Sequence, residues 1–168
     1  EVVTPDYLRG VDIGMLVYDS KASLENPDEV KDKLSFWYEN LKKHNPEAIF
    51  CIGTKYDLLN EEEKNKIRKD NLGNEFVDQN KSILSSIKGG DENFHNNLDM
   101  TLKSYLNNLV KDVKIEEETI TKKICFCGAG GAGKTTLIGM LRNDGKPPEN
   151  PKETIGIGFT VQSCNVKL

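Results

Sequence analysis

The densest chemistry in this chain lies at residues 128–135, G-A-G-G-A-G-K-T, which satisfy the spacing G-x-x-x-x-G-K-S/T. Gly128, Gly130, Gly131 and Gly133 let successive backbone N–H groups turn inward around a polyphosphate, where a β-branched residue would clash. A helix starting at Lys134 would add the partial positive charge of its amino terminus. Lys134 would reach the β and γ phosphates, and the Thr135 hydroxyl would ligate Mg²⁺, a hard cation that prefers oxygen ligands. Ala132 and Thr136 complete the expected binding set. The same residues also fit G-x-G-x-x-G, the dinucleotide fingerprint. That rival requires an acid about 20 residues further on to hold a ribose. A proline-rich stretch with Pro147, Pro148 and Pro151 stands there instead, so the phosphate loop is the stronger reading.

Three further stretches fit a phosphate loop. Thr54-Lys55-Tyr56-Asp57 follows a buried apolar run and resembles the guanine-reading motif of small GTPases, with Thr in place of the usual Asn, as in the Rho branch. In that resemblance Asp57 accepts two hydrogen bonds from N1 and N2 of guanine, groups that adenine lacks, while the Lys55 stem covers the base plane. Ser85-Ser86-Ile87-Lys88-Gly89 looks like the S-A-K element whose backbone contacts the guanine O6, with Ile87 replacing alanine. Ser86, Ile87 and Lys88 would then flank the base. Thr154-Ile155-Gly156 resembles the first switch, whose threonine completes the Mg²⁺ shell and senses the γ phosphate. Lys134 and Thr154 are thus the side chains the resemblance places nearest the chemistry, and Thr135 and Thr154 are the metal ligands it implies.

The elements that must position these residues alternate between short β-type runs and longer helical patterns. That alternation indicates an α/β fold: three layers, with a mostly parallel sheet covered by helices on both faces. Strands are predicted at Ile13 to Asp19, Ala48 to Gly53, Ser82 to Ser86 and Lys123 to Cys127, with a strand-like end to the chain. A helix is predicted from Pro27 to His44, with Val30, Leu34, Trp37, Tyr38 and Leu41 at helical spacing and Pro46 closing it. An acidic helix start falls at Asn60 to Glu63, before a weakly patterned region reaching about Gln79. Leu98, Leu102, Tyr105, Leu106, Leu109 and Val110 mark a long amphipathic helix ending near Val113. Another helix runs from Lys134 to Leu141. Phe36, Trp37 and Tyr38 read as core or helix surface and not as a base platform.

Taken together, the motifs are similar to those of Ras-like small GTPases over nearly the whole chain, including Tyr7-Leu8-Arg9-Gly10, which looks like the helix after the second switch. The order is rotated, because the guanine motif precedes the phosphate loop. The resemblance is to a circularly permuted Ras-like domain, a single domain over residues 1–168 with residues 114–121 as the splice. Eight residues at about 3.3 Å each span roughly 26 Å, enough to join ends on one side of a fold. Permuted GTPases of ribosome assembly share the rotation but are cut elsewhere. No D-x-x-G preceded by an apolar strand occurs, so the third strand and the aspartate it carries have no counterpart. In the Ras-like sheet that strand lies between the last strand and the one at 123–127. Its absence is expected to leave unpaired backbone flanking a gap, filled by residues ahead of Glu1 in a longer chain. The stretch 142–153 lacks the aromatic residue that leans on guanine in this family, which lowers the expected affinity.

Composition narrows the partners. With 168 residues, 36% hydrophobic and 30% charged, the chain can build one ordinary core. Its 27 acidic and 23 basic side chains, net −4, offer no basic footprint for nucleic acid or an anionic membrane. No apolar run reaches the roughly 20 residues of a spanning helix, and the start lacks a signal peptide's apolar stretch. A cytoplasmic monomer without a membrane anchor is expected, meeting effector or regulatory proteins through the switch loop 143–156. Cys51, Cys125, Cys127 and Cys164 sit in apolar strand-like runs and read as reduced core residues, while C-F-C has the wrong spacing for a redox or zinc pair. The resemblance implies GTP and GDP with Mg²⁺ as ligands, and a module of a larger protein that cycles between them with slow hydrolysis. The alternatives are a non-hydrolysing regulatory module and an adenine-specific phosphate-loop enzyme in which Asp57 is incidental.

Overall fold

The computed structural model describes residues 8–85, 104–105, 120–142 and 160–164. Its strands are β1 (Ile13–Asp19), β2 (Ala48–Thr54), β3 (Ser82–Leu84), β4 (Ile120–Gly128) and β5 (Thr160–Cys164). The α-helices are α1 (Ser20–Glu25), α2 (Pro27–Lys42), α3 (Glu61–Lys69) and α4 (Lys134–Arg142). The strands form one sheet in the order β3-β2-β1-β4-β5. The first four are parallel, and β5 runs antiparallel to β4. The chain is therefore α/β with a mostly parallel sheet.

Alternation along the strands sends side chains to two cores. Ile13, Met15 and Val17 of β1, Phe50 and Ile52 of β2 and Phe126 of β4 pack on one face with Leu137 and Met140 of α4. Leu16 and Tyr18, Cys51, and Cys125 and Cys127 face the other way, against Leu34 and Leu41 of α2. Both faces are covered, which is why β1 reads as a continuous apolar run and not as an alternation. Cys51, Cys125 and Cys127 are free and buried, as read from the sequence. Burial pushes the Cys51 thiol up to about 12.

The helix boundaries have local causes. Pro27 occupies the first turn of α2 with Asp28 and Glu29 beside it. The helix stops at Lys42, two residues short of the expected His44, because the chain turns through Asn45 at φ 49°. Phe36 lies exposed on its surface, edge to Trp37 at 5.4 Å between ring centroids. The acidic start at Asn60 is a reciprocal capping box with Glu63, and Ile67 is the buried anchor of α3.

Several expectations are corrected. Leu8–Gly10 form a turn closed by the Val11 N–H donating to the Leu8 carbonyl at 3.2 Å, and not a helix. Gly10, at φ 67°, holds that turn open to the left-handed region. β3 ends at Leu84: the Ser85 N–H still donates to Gly53 of β2, but the Ser85 carbonyl accepts from Tyr56 in the turn beyond it. β4 begins at Ile120, inside the expected splice, because Ile120–Ile124 pair with Cys164–Thr160. That pairing narrows the expected gap: β5 lies directly beside Ile120–Ile124 of β4, β1 takes Ile124–Gly128 on the opposite edge, and among the described residues no strand pairs with Cys125–Gly128 on the β5 side. Of the expected long amphipathic helix, only Ser104 and Tyr105 are described, both helical, with the Tyr105 ring 5.8 Å from that of Phe50.

Candidate functional site

The stretch 128–135 forms the turn between β4 and α4. Three of its glycines are required by geometry, Gly131 among them at φ 70°. A Cβ on Gly128 would lie 2.0 Å from the Val17 carbonyl oxygen, so only glycine lets the end of β4 close onto β1. Gly133 sits at φ 86°, in the left-handed region, immediately before α4. A glycine-rich turn leading into a helix amino terminus is an arrangement suited to an anion.

Lys134 bends back across this loop. Its ammonium donates to the carbonyls of Ala129 at 2.7 Å and Gly128 at 3.0 Å. Partial burial holds its pKa below the usual lysine value, and the neighbouring Cys127 works weakly in the opposite direction. Thr135 is exposed on the first turn of α4 and Thr136 is half-buried beside it. Thr135 offers a hydroxyl oxygen of the kind a hard divalent cation accepts.

The second motif meets this loop. Thr54 ends β2 fully buried, and its hydroxyl lies 3.0 Å from the Tyr18 carbonyl and 2.9 Å from the Ala132 carbonyl, so its single proton bridges β1 and the loop. Lys55 follows at φ 59° and Tyr56–Leu58 form a short 3-10 turn that carries Asp57. The Tyr56 N–H donates to the Ser85 carbonyl at 2.9 Å, and the Ser85 N–H donates to Gly53 at 2.7 Å. Ser85, the first residue of the third motif, is thereby fastened to the second.

Asp19, absent from the expected set, links these parts. Its Oδ1 caps α1, accepting the N–H groups of Lys21 at 2.9 Å and Ala22 at 3.2 Å, while Oδ2 accepts the Lys55 ammonium at 2.6 Å. An aspartate between a strand and the helix-forming run S-K-A-S-L-E is an amino-terminal cap signal readable from the sequence. Its pairing with Lys55 is not readable there. A cleft of about 180 Å³ opens beside these groups, bounded by Asp19, Lys55, the loop backbone at 129–132, and Glu29 and Lys33 of α2.

The structure thus brings Thr54, Lys55 and Asp57 to the same end of the sheet as Gly128, Gly130, Gly131, Ala132, Gly133, Lys134, Thr135 and Thr136. Ser86, Ile87, Lys88 and Thr154 lie outside the described residues. Among the described residues no group of three His, Cys, Asp or Glu side chains is placed to hold a metal ion. No helix among them is long and apolar enough to cross a membrane. Comparison with protein-family models, with curated proteins and with solved structures finds no match to this chain.

Proposed function

We propose that this chain is a guanine-nucleotide-binding domain of the Ras-like phosphate-loop class in circularly permuted order, cycling between GTP and GDP by slow Mg²⁺-dependent hydrolysis. One observation carries the reading. The Thr54 hydroxyl reaches the Ala132 carbonyl across 78 residues of sequence, joining the end of one motif to the middle of the other. The strands that deliver the motifs, β2 and β4, flank β1, so their ends stand two strand spacings apart, about 10 Å. A single mononucleotide spans that distance with its base at Asp57 and its phosphates at the loop. Lys134 would neutralise phosphate charge, its two carbonyl contacts giving way to phosphate oxygens. Thr135 and Thr154 would hold Mg²⁺, which supplies charge stabilisation on the phosphate oxygens when bound. Effector or regulatory proteins would read the segment 143–156.

The test has two arms. Mass spectrometry of the nucleotide released from the purified chain should give GDP or GTP. Asp57→Asn replaces two acceptors by one acceptor and one donor, which suits the 2-oxo group of xanthine better than the 2-amino group of guanine. The variant should lose GDP affinity by at least about 100-fold and gain xanthosine diphosphate binding. Unchanged base preference would make Asp57 incidental. Single-turnover hydrolysis with and without Mg²⁺ separates a cycling domain from one that holds its nucleotide as a structural element.

A further inference from the structure

Asp19 uses both carboxylate oxygens at once, one on the amino terminus of α1 and one on Lys55. The Lys55 and Asp19 side chains are only 33% and 21% exposed, so the pair is partly sheltered from solvent screening. Lys55 also holds a left-handed backbone at φ 59°, a conformation that a non-glycine residue keeps when its surroundings over-determine it. The ion pair at its tip and the Leu58 N–H donating to its carbonyl at 3.0 Å supply that constraint from both ends. The other charged side chains lining the same cleft, Glu29 and Lys33 of α2, are already paired with each other.

We propose that Asp19 is a positioning residue for the nucleotide: it fixes the Lys55 side chain where its stem covers the guanine, and sets affinity through Lys55 without touching the ligand. This inference rests on the function proposed above. The decisive variant is Asp19→Asn, because asparagine caps a helix as well as aspartate does and so retains α1, while the charge facing Lys55 is lost. GDP dissociation from the full chain should quicken and the Kd rise about tenfold, the loss of one charge-assisted hydrogen bond. The urea midpoint should stay close to that of the parent chain. In a Lys55→Met background, Asp19→Asn should have no further effect on GDP affinity, since the group it acts through is gone.

An Asp19→Asn Kd within about twofold of the parent overturns the inference, as does an equal loss in both backgrounds, which would mean Asp19 acts through the fold. A parent chain that binds no guanine nucleotide overturns the functional reading and this inference together. Tight parent binding that ignores Asp19→Asn overturns the inference alone.

Discussion

Thr54→Val removes one hydroxyl at the junction of the two motifs and leaves almost everything else in place. Valine matches threonine in shape, and position 54 is fully buried, so the substitution opens no cavity. The hydroxyl has one proton shared between the carbonyls of Tyr18 and Ala132, so one hydrogen bond is lost, about 1 kcal/mol net. A buried carbonyl then lacks its donor, which costs about 1–3 kcal/mol more when no water can reach it. A total of about 2–4 kcal/mol follows, and urea unfolding of the ligand-free chain should read it. If the bridge also holds the loop in its binding shape, part of that loss appears in the ligand. The GDP Kd should then weaken about fivefold, equivalent to roughly 1 kcal/mol, read as faster displacement of a fluorescent GDP analogue. Thr54→Ser keeps the hydroxyl and should retain the affinity. A Thr54→Val chain of parental stability and parental GDP dissociation rate would refute the contact. Lost stability with an unchanged dissociation rate would refute its role in the site.

Two other perturbations probe the loop itself. Gly128→Ala must place a methyl 2.0 Å from the Val17 carbonyl oxygen and should cost at least about 3 kcal/mol, whereas Gly130→Ala, with nothing within 4 Å of an added Cβ, should change stability by less than about 0.5 kcal/mol; thermal unfolding of the pair checks both. Burial lowers the pKa of Lys134, so in the free chain its ammonium is lost below the ordinary lysine range. GDP affinity should therefore fall more steeply as pH rises through that window than it does for Lys134→Arg, which stays charged and keeps only the loss that follows deprotonation of guanine N1. Over the same window the unfolded chain binds the extra proton, so this group makes the free chain more stable as pH rises. A parental profile no steeper than that of Lys134→Arg would contradict the assignment.

The strands at the sheet centre were legible because apolar runs with polar ends leave few alternatives: β1 falls at Ile13–Asp19 as predicted, and β2 extends one residue beyond the expected Gly53. The short helix α1 was not predicted, since S-K-A-S-L-E carries no helical stripe and its one signal in the sequence is the Asp19 cap at its start. The start of β4 was misplaced because Ile120 and Thr121 are drawn into the sheet by β5, a tertiary effect that local propensity cannot anticipate. The gap beside β4 was inferred from a related strand order, and pairing followed the edge that lay within reach. In the candidate site, the turn between β4 and α4 was readable because glycine spacing encodes its backbone geometry. The approach of Thr54 to Ala132 required the strand order, which no single stretch of sequence contains.

That strand order gives β1 a role that none of its own residues advertises. Val17 offers the carbonyl against which Gly128 closes, Tyr18 the carbonyl that shares the Thr54 proton, and Asp19 the carboxylate that holds Lys55. Three consecutive residues therefore touch both motifs, one from each side. Because β1 pairs in parallel with β2 and β4 at once, a slip of one residue in its register would shift all three contacts together and turn its core faces over. The apolar residues that fix the register, Ile13, Met15 and Val17 on one face and Leu16 and Tyr18 on the other, thus set the spacing between the two motifs as surely as the motifs' own residues do.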